Sequence, residues 1–194
     1  MSLAKKLLMT TETSSGTVHP HSGVYVDDVF STYIYTGNGS TKTIPNGIDL
    51  AGNGGLVWIK GRSGAADHAL YDTARGATFD LASNSTAGQT TQPTGLTAFS
   101  NSGFSVGSLA KINAGSSTYV SWAFRKAPKF FDVVTYTGNG AAGRQIAHSL
   151  GCEAGFITVK STITTGDWNS YHRSATGDLK LNLTDAQTAS RELS

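Results

Sequence analysis

Two rows of side chains can be read along "TYVSWAFRK" (118–126). Val120, Trp122 and Phe124 form one row, and Tyr119, Ser121, Ala123 and Arg125 form the other. Successive residues of a strand point to opposite faces, so the segment predicts a β-strand, with the larger apolar row toward the core. Similar runs predict strands near 29–36, 41–46, 56–61, 68–73, 96–99 and 103–107. Turn chemistry separates them. Asn38-Gly39 can take positive φ and suits a tight hairpin, and Asn53-Gly54-Gly55 and Asn101-Ser102-Gly103 punctuate in the same way. Short strands at this spacing predict an antiparallel β-sandwich or jelly roll. The two ends differ. Residues 1–9 could form one helical turn with Leu3 and Leu7 on one face, residues 10–24 read as an extended polar arm, and 183–193 opens like a helix with Thr184 as N-cap and Gln187 three residues on.

The chain repeats itself. Tyr35-Thr36-Gly37-Asn38-Gly39 returns as Tyr136-Thr137-Gly138-Asn139-Gly140, an offset of 136 − 35 = 101. "GGLVWIKGRSGAADHALYD" (54–72) then faces "AGFITVKSTITTGDWNSYH" (154–172), with Lys60 on Lys160, Asp67 on Asp167, Tyr71 on Tyr171 and Leu81 on Leu181, at an offset of 100. A register held this long is an internal duplication with one deletion between its blocks. The copies also say which side of the strand at 56–61 is buried. Val57 and Ile59 become Ile157 and Val159, apolar both times, whereas Trp58 becomes Thr158. The shared pair is expected in the core and Trp58 on the outer face. Pro128 lies at the junction, which gives three parts: an N-terminal arm (1–24), a first β-sandwich unit (25–127) and a second, incomplete unit (128–194).

Composition narrows the function. Lys and Arg total 15 against 13 Asp and Glu, a net charge of +2 that leaves no basic footprint for nucleic acid. Gly contributes 23 residues, and Ser with Thr roughly a quarter of the chain, which fits short strands and tight turns. Cys152 is the single cysteine and excludes an internal disulfide; it reads as a small, half-buried residue. "MSLAKKLLM" has too short an apolar run for a signal peptide, and no window approaches a membrane span, so synthesis in a cytoplasm without membrane insertion is expected.

Catalytic signatures are lacking. The sequence has no nucleophile elbow, Walker loop, zinc helix or dinucleotide fingerprint, and its carboxylates are scattered: Asp67 and Asp72, five apart, would point to opposite faces of a strand. The expectation is a non-enzyme without cofactor. His19-Pro20-His21 has metal spacing, and three chains about a threefold axis would supply six nitrogens for iron or nickel; the alternative is two solvated histidines. Trp58, His68, Tyr71, Trp168 and Tyr171 lie on corresponding segments of the two copies, as rings that could stack on sugars or fill a core or subunit contact.

Over nearly its whole length the chain resembles a family of tandem-repeat proteins of marine and freshwater tailed bacteriophages. The resemblance is carried by "MSLAKKLLM", "YVDDVFSTYIYTGNGSTKTIPNGIDLAGNGGLVWIKGRSGAADHALYDTARGATFDLASNSTA", "LTAFSNSGFSVGS", "TYVSWAFRKAPKFFDVVTYTGNG" and "DWNSYHRS". It implies concanavalin-like sandwich repeats and a virion component, a tail fibre or minor tail protein, with no catalytic residues to carry over. On that footing Leu3, Lys5, Lys6, Leu7 and Leu8 are expected to dock the chain on other tail proteins. The repeats would project for assembly or host attachment as a homo-oligomer, most simply a trimer. A lectin-like module binding host surface polysaccharide is the alternative. The second unit shows no counterpart of the strand at 118–125, so its cover is expected from a longer polypeptide or, less favoured, from a neighbouring subunit.

Overall fold

The computed structural model describes residues 24–188. Leu3, Lys5, Lys6, Leu7 and Leu8, and the pair His19 and His21, lie outside the described residues. The chain is all-β. Nine strands build the first unit: β1 (Phe30–Thr36), β2 (Lys42–Ile44), β3 (Gly55–Gly61), β4 (Ala69–Asp72), β5 (Phe79–Asp80), β6 (Thr90–Thr91), β7 (Leu96–Ser100), β8 (Gly103–Val106) and β9 (Thr118–Arg125). Three more follow: β10 (Phe156–Val159), β11 (Asn169–His172) and β12 (Leu179–Lys180). The helices α1 (Val26–Val29), α2 (Leu50–Asn53) and α3 (Ala110–Asn113) are single turns.

All pairings are antiparallel. One sheet has the order β1-β9-β3-β4 and another β2-β8-β7; β5 and β6 pair separately, and β10-β11-β12 form the sheet of the second unit. Val57 and Ile59 of β3, Tyr71 of β4 and Ala123 of β9 share one core with Ile44, Leu96, Phe104 and Val106 of the three-stranded sheet. Each large apolar side chain removed from water here stabilises the fold by about 1.5–3 kcal/mol. The duplication therefore identified the buried row of β3 correctly.

The expected rows of β9 are inverted. Tyr119, Ser121 and Ala123 face the core, and Val120, Trp122 and Phe124 lie half-buried on the outer face. β9 runs between β1 and β3, and Tyr35, Tyr71 and Phe104 share the core beneath it; small Ser121 and Ala123 fill the middle of the row, while Tyr119 stacks on Tyr35 at 5.2 Å and donates its O–H to Ala110 O at 2.9 Å. Outside, Phe124 meets Phe30 and Phe131, and Trp122 meets Trp58.

Asn38-Gly39 is a corner and not a hairpin, because β1 and β2 belong to different sheets. Gly39 has φ +69° and the Asn38 side chain accepts the N–H of Ser40 at 3.0 Å. The corner is held from α3 by Asn113, which is fully buried. Its amide donates to Asn38 Oδ1 (3.0 Å), Ser40 O (2.5 Å) and Gly107 O (2.7 Å), and its oxygen accepts the N–H of Asn38 at 3.0 Å. Asn101-Ser102, by contrast, does form the two-residue loop of the β7–β8 hairpin.

In the second copy the turn persists without its strands. Gly140 has φ +71° and Asn139 accepts the N–H of Ala141 at 3.1 Å, but the segment 133–137 is not a strand. Its counterpart β1 pairs only with β9, and no strand of that kind is present beside the second sheet among the described residues. The junction is clamped: Lys126 Nζ reaches the Asp132 carboxylate at 2.8 Å, and that carboxylate also accepts the N–H and O–H of Ser149 at 2.7 and 2.8 Å. Burial pushes the Asp132 carboxyl up, but Lys126 and these donors outweigh it and hold it at about 2. Residues 183–188 are not helical. Gln187 bonds the Thr176 hydroxyl and the N–H of Thr188 reaches Asp178 O at 3.0 Å, so the segment lies back along 176–178. Cys152 is exposed, not half-buried.

Candidate functional site

The register of β3 and β9 sets Trp58 directly opposite Trp122 on the outer face of the four-stranded sheet. Their rings meet edge to face with centroids 6.1 Å apart, an arrangement aromatic pairs favour. Trp58 Nε1 donates to His68 Nδ1 at 2.7 Å, so His68 must keep Nδ1 unprotonated and carry its proton on Nε2. Burial pushes the His68 pKa down, and the nearby Lys60 charge adds to the effect. The ring is therefore held in its neutral form.

The second unit packs against the β3–β4 side of this face. Trp168, at the position equivalent to His68, is 5% exposed and packs with Leu70 and Leu81, while Leu56 and Trp58 border the same cluster. Its indole N–H lies 3.0 Å from Ala82 O and 3.2 Å from Ser85 O, which satisfies the ring's one polar group in the first unit. Beside it, Lys160 Nζ reaches Thr86 O at 3.1 Å and Gln89 N–H reaches Thr162 O at 2.7 Å. Burial lowers the Lys160 pKa, partly offset by Asp167. The seam is apolar at its centre and hydrogen-bonded at its edge.

The copies also share a polar clasp. In the first unit Asn84 Nδ2 donates to Asp67 at 2.7 Å while Asn84 Oδ1 accepts the N–H of His68 at 3.0 Å. In the second, Asn182 Nδ2 donates to Asp167 at 2.9 Å and its oxygen accepts the N–H of Trp168 at 2.8 Å. Thr73 N–H to Gly55 O (2.9 Å) likewise recurs as Arg173 N–H to Gly155 O (3.0 Å). The asparagines are 182 − 84 = 98 apart, not 100, and that slip hid the clasp from a reading at fixed offset.

Of the five rings singled out in the sequence, Trp58, His68 and Trp168 come together. Tyr71 is fully buried in the core and offers no surface to a ligand, and Trp168 is closed off by the first unit. Tyr171 pairs with Ile157 on the second sheet, half-buried and apart from that seam. Trp122 belongs to the site but looked like a core residue, because its row was the larger and more apolar. Among the described residues no group of three or more His, Cys, Asp and Glu could hold a metal ion, and no helix is long and apolar enough to cross a membrane.

The fold and seam define an internally duplicated all-β protein whose two units meet through a tryptophan. Residues 26–194 match the family described as a domain of unknown function, DUF7483, and the chain belongs to that family. No curated protein and no solved structure matches it significantly.

Proposed function

We propose that the chain is a non-enzymatic structural component of a tailed-bacteriophage virion, a tail fibre or tail-associated protein. In this reading residues 1–24 dock on other tail proteins and the β-units project for assembly or host attachment. The protein is made in the host cytoplasm and resides in the virion tail. The observation that carries the reading is the Trp168 seam. A second copy that packs against the first through a buried tryptophan suits a bracing element better than a cleft. The sequence resemblance to phage tandem-repeat proteins points the same way. Mass spectrometry of purified particles, with antibody labelling in electron micrographs, tests it: the protein should be found on the tail. Its absence from intact particles would overturn the assignment.

Recognition of host surface polysaccharide is the second reading. Trp58 and Trp122 favour it, as half-buried rings on an outer face. A glycan array probed with the full chain should show saturable binding that Trp58→Ala abolishes; without binding, the structural role stands alone.

A further inference from the structure

Among the described residues the sheet of the second unit ends at β10, which is an edge strand there. Gly155 O takes the N–H of Arg173, and alternation along an antiparallel pair then turns the N–H and C=O of Phe156 and Thr158 away from β11, toward the open edge. No hydrogen bond reaches those groups from another strand among the described residues. Phe156 is 57% exposed and Ile157 37%, whereas in β3 Leu56 is half-buried and Val57 fully buried. "FITV" carries neither charge nor proline, the usual guards of an exposed edge.

The first unit shows what lies against this edge. There β9 runs antiparallel beside β3, with Leu56 opposite Phe124, Val57 opposite Ala123, Trp58 opposite Trp122 and Ile59 opposite Ser121. Its backbone comes so close at the start of β3 that a Cβ on Gly55 would lie 2.1 Å from Phe124 O. Gly155 keeps that glycine. A Cβ there would meet only the Arg173 side chain, at 3.7 Å or more, so nothing present requires a residue without a side chain. The glycine, the apolar pair Ile157 and Val159, and the unpaired N–H and C=O groups together fit an absent neighbour. Thr158 in place of Trp58 leaves room for a large ring opposite it.

We propose that the β10 edge is an acceptor site for an extended strand of the β9 kind supplied by a separate polypeptide. That strand carries small or hydroxyl residues toward Ile157 and Val159 and aromatic residues on its other face, and it adds antiparallel to the sheet through the N–H and C=O groups of Phe156 and Thr158. A second β10 would suit the edge less well, since it would set Ile157 and Val159 against large residues where β9 offers Ala123 and Ser121. The inference rests on the internal repeat and stands apart from the virion assignment.

The probe is a synthetic peptide of residues 117–126, STYVSWAFRK, added to the full chain, with amide exchange followed by NMR. Binding should slow exchange at Phe156 and Thr158 at least tenfold and leave Ile157 and Val159, already bonded to β11, unchanged. Gly155→Val, which places bulk where the peptide backbone must pass, should weaken binding at least tenfold. Thr158→Pro, which removes one outward N–H, should do the same, and retained Ile157 and Val159 protection in each variant shows that the sheet is still folded. Three results would overturn the proposal: no slowing at Phe156 and Thr158, equal binding by a peptide of scrambled order, or the same slowing without peptide in a concentration-dependent dimer.

Discussion

Asn113 carries more of the first unit than its size suggests. Four hydrogen bonds converge on one buried amide and tie the Asn38-Gly39 corner to α3. Asn113→Asp keeps the shape but replaces the donating NH₂ by an oxygen facing three acceptors. Leaving such groups unpaired costs about 1–3 kcal/mol, more where a charge is involved. Urea titration should show a loss of about 3 kcal/mol at neutral pH, part of it recovered in acid as the carboxyl protonates. His68 responds to pH in the opposite sense. Its pKa is lowered in the folded chain, so its contribution is fully present above the ordinary value of 6.5 and is lost as pH falls below it. Protonating Nδ1 breaks the bond from Trp58. Tryptophan fluorescence should change reversibly below pH 6.5, and His68→Gln should abolish the change.

The elements differ in how plainly the sequence announces them. β1, β3, β4, β7, β8 and β9 emerge within a residue or two of their observed bounds, because alternation and Asn-Gly turns mark them. β5 and β6 do not, since two-residue pairings leave no periodic trace. The inward row of β9 was misread because apolar content says nothing of how much volume the opposite sheet leaves free. The seam was half legible: Trp58 was recognisable as outward, but its neighbour Trp168 was not, since nothing in a linear pattern tells which face of one unit another will cover. Trp168→Ala tests that contact. Removing a buried tryptophan costs about 3–5 kcal/mol, and the loss should fall on the smaller sheet. Hydrogen exchange should show 156–180 losing protection while Val57 and Ile59 keep theirs; uniform loss across both units would mean the seam supports the whole chain.

At the scale of the whole molecule, the described residues of the second unit form one sheet, β10-β11-β12. Ile163 is 91% exposed, and Phe156, Leu179, Leu181 and Leu183 are also exposed. Exposed apolar side chains in this number fit the proposal that the chain meets other chains here. Light scattering on the purified chain should report an oligomer, most simply a trimer; a monomer at high concentration, with no trimer in particles, would remove that part of the reading.

The place of β9 between β1 and β3 has a further consequence for how the protein is made. Neither β1 nor β3 touches the other, so as the ribosome delivers residues 30–117 the two strands have no shared ladder to begin. The strand that joins them arrives last, and Asn113, which fixes the corner after β1, arrives only shortly before it. Contacts this distant in sequence form slowly. Until residues 118–125 are made, the edge of β3 that faces β9 stays unpaired, and for that interval the nascent chain carries an open strand edge of the kind that favours aggregation.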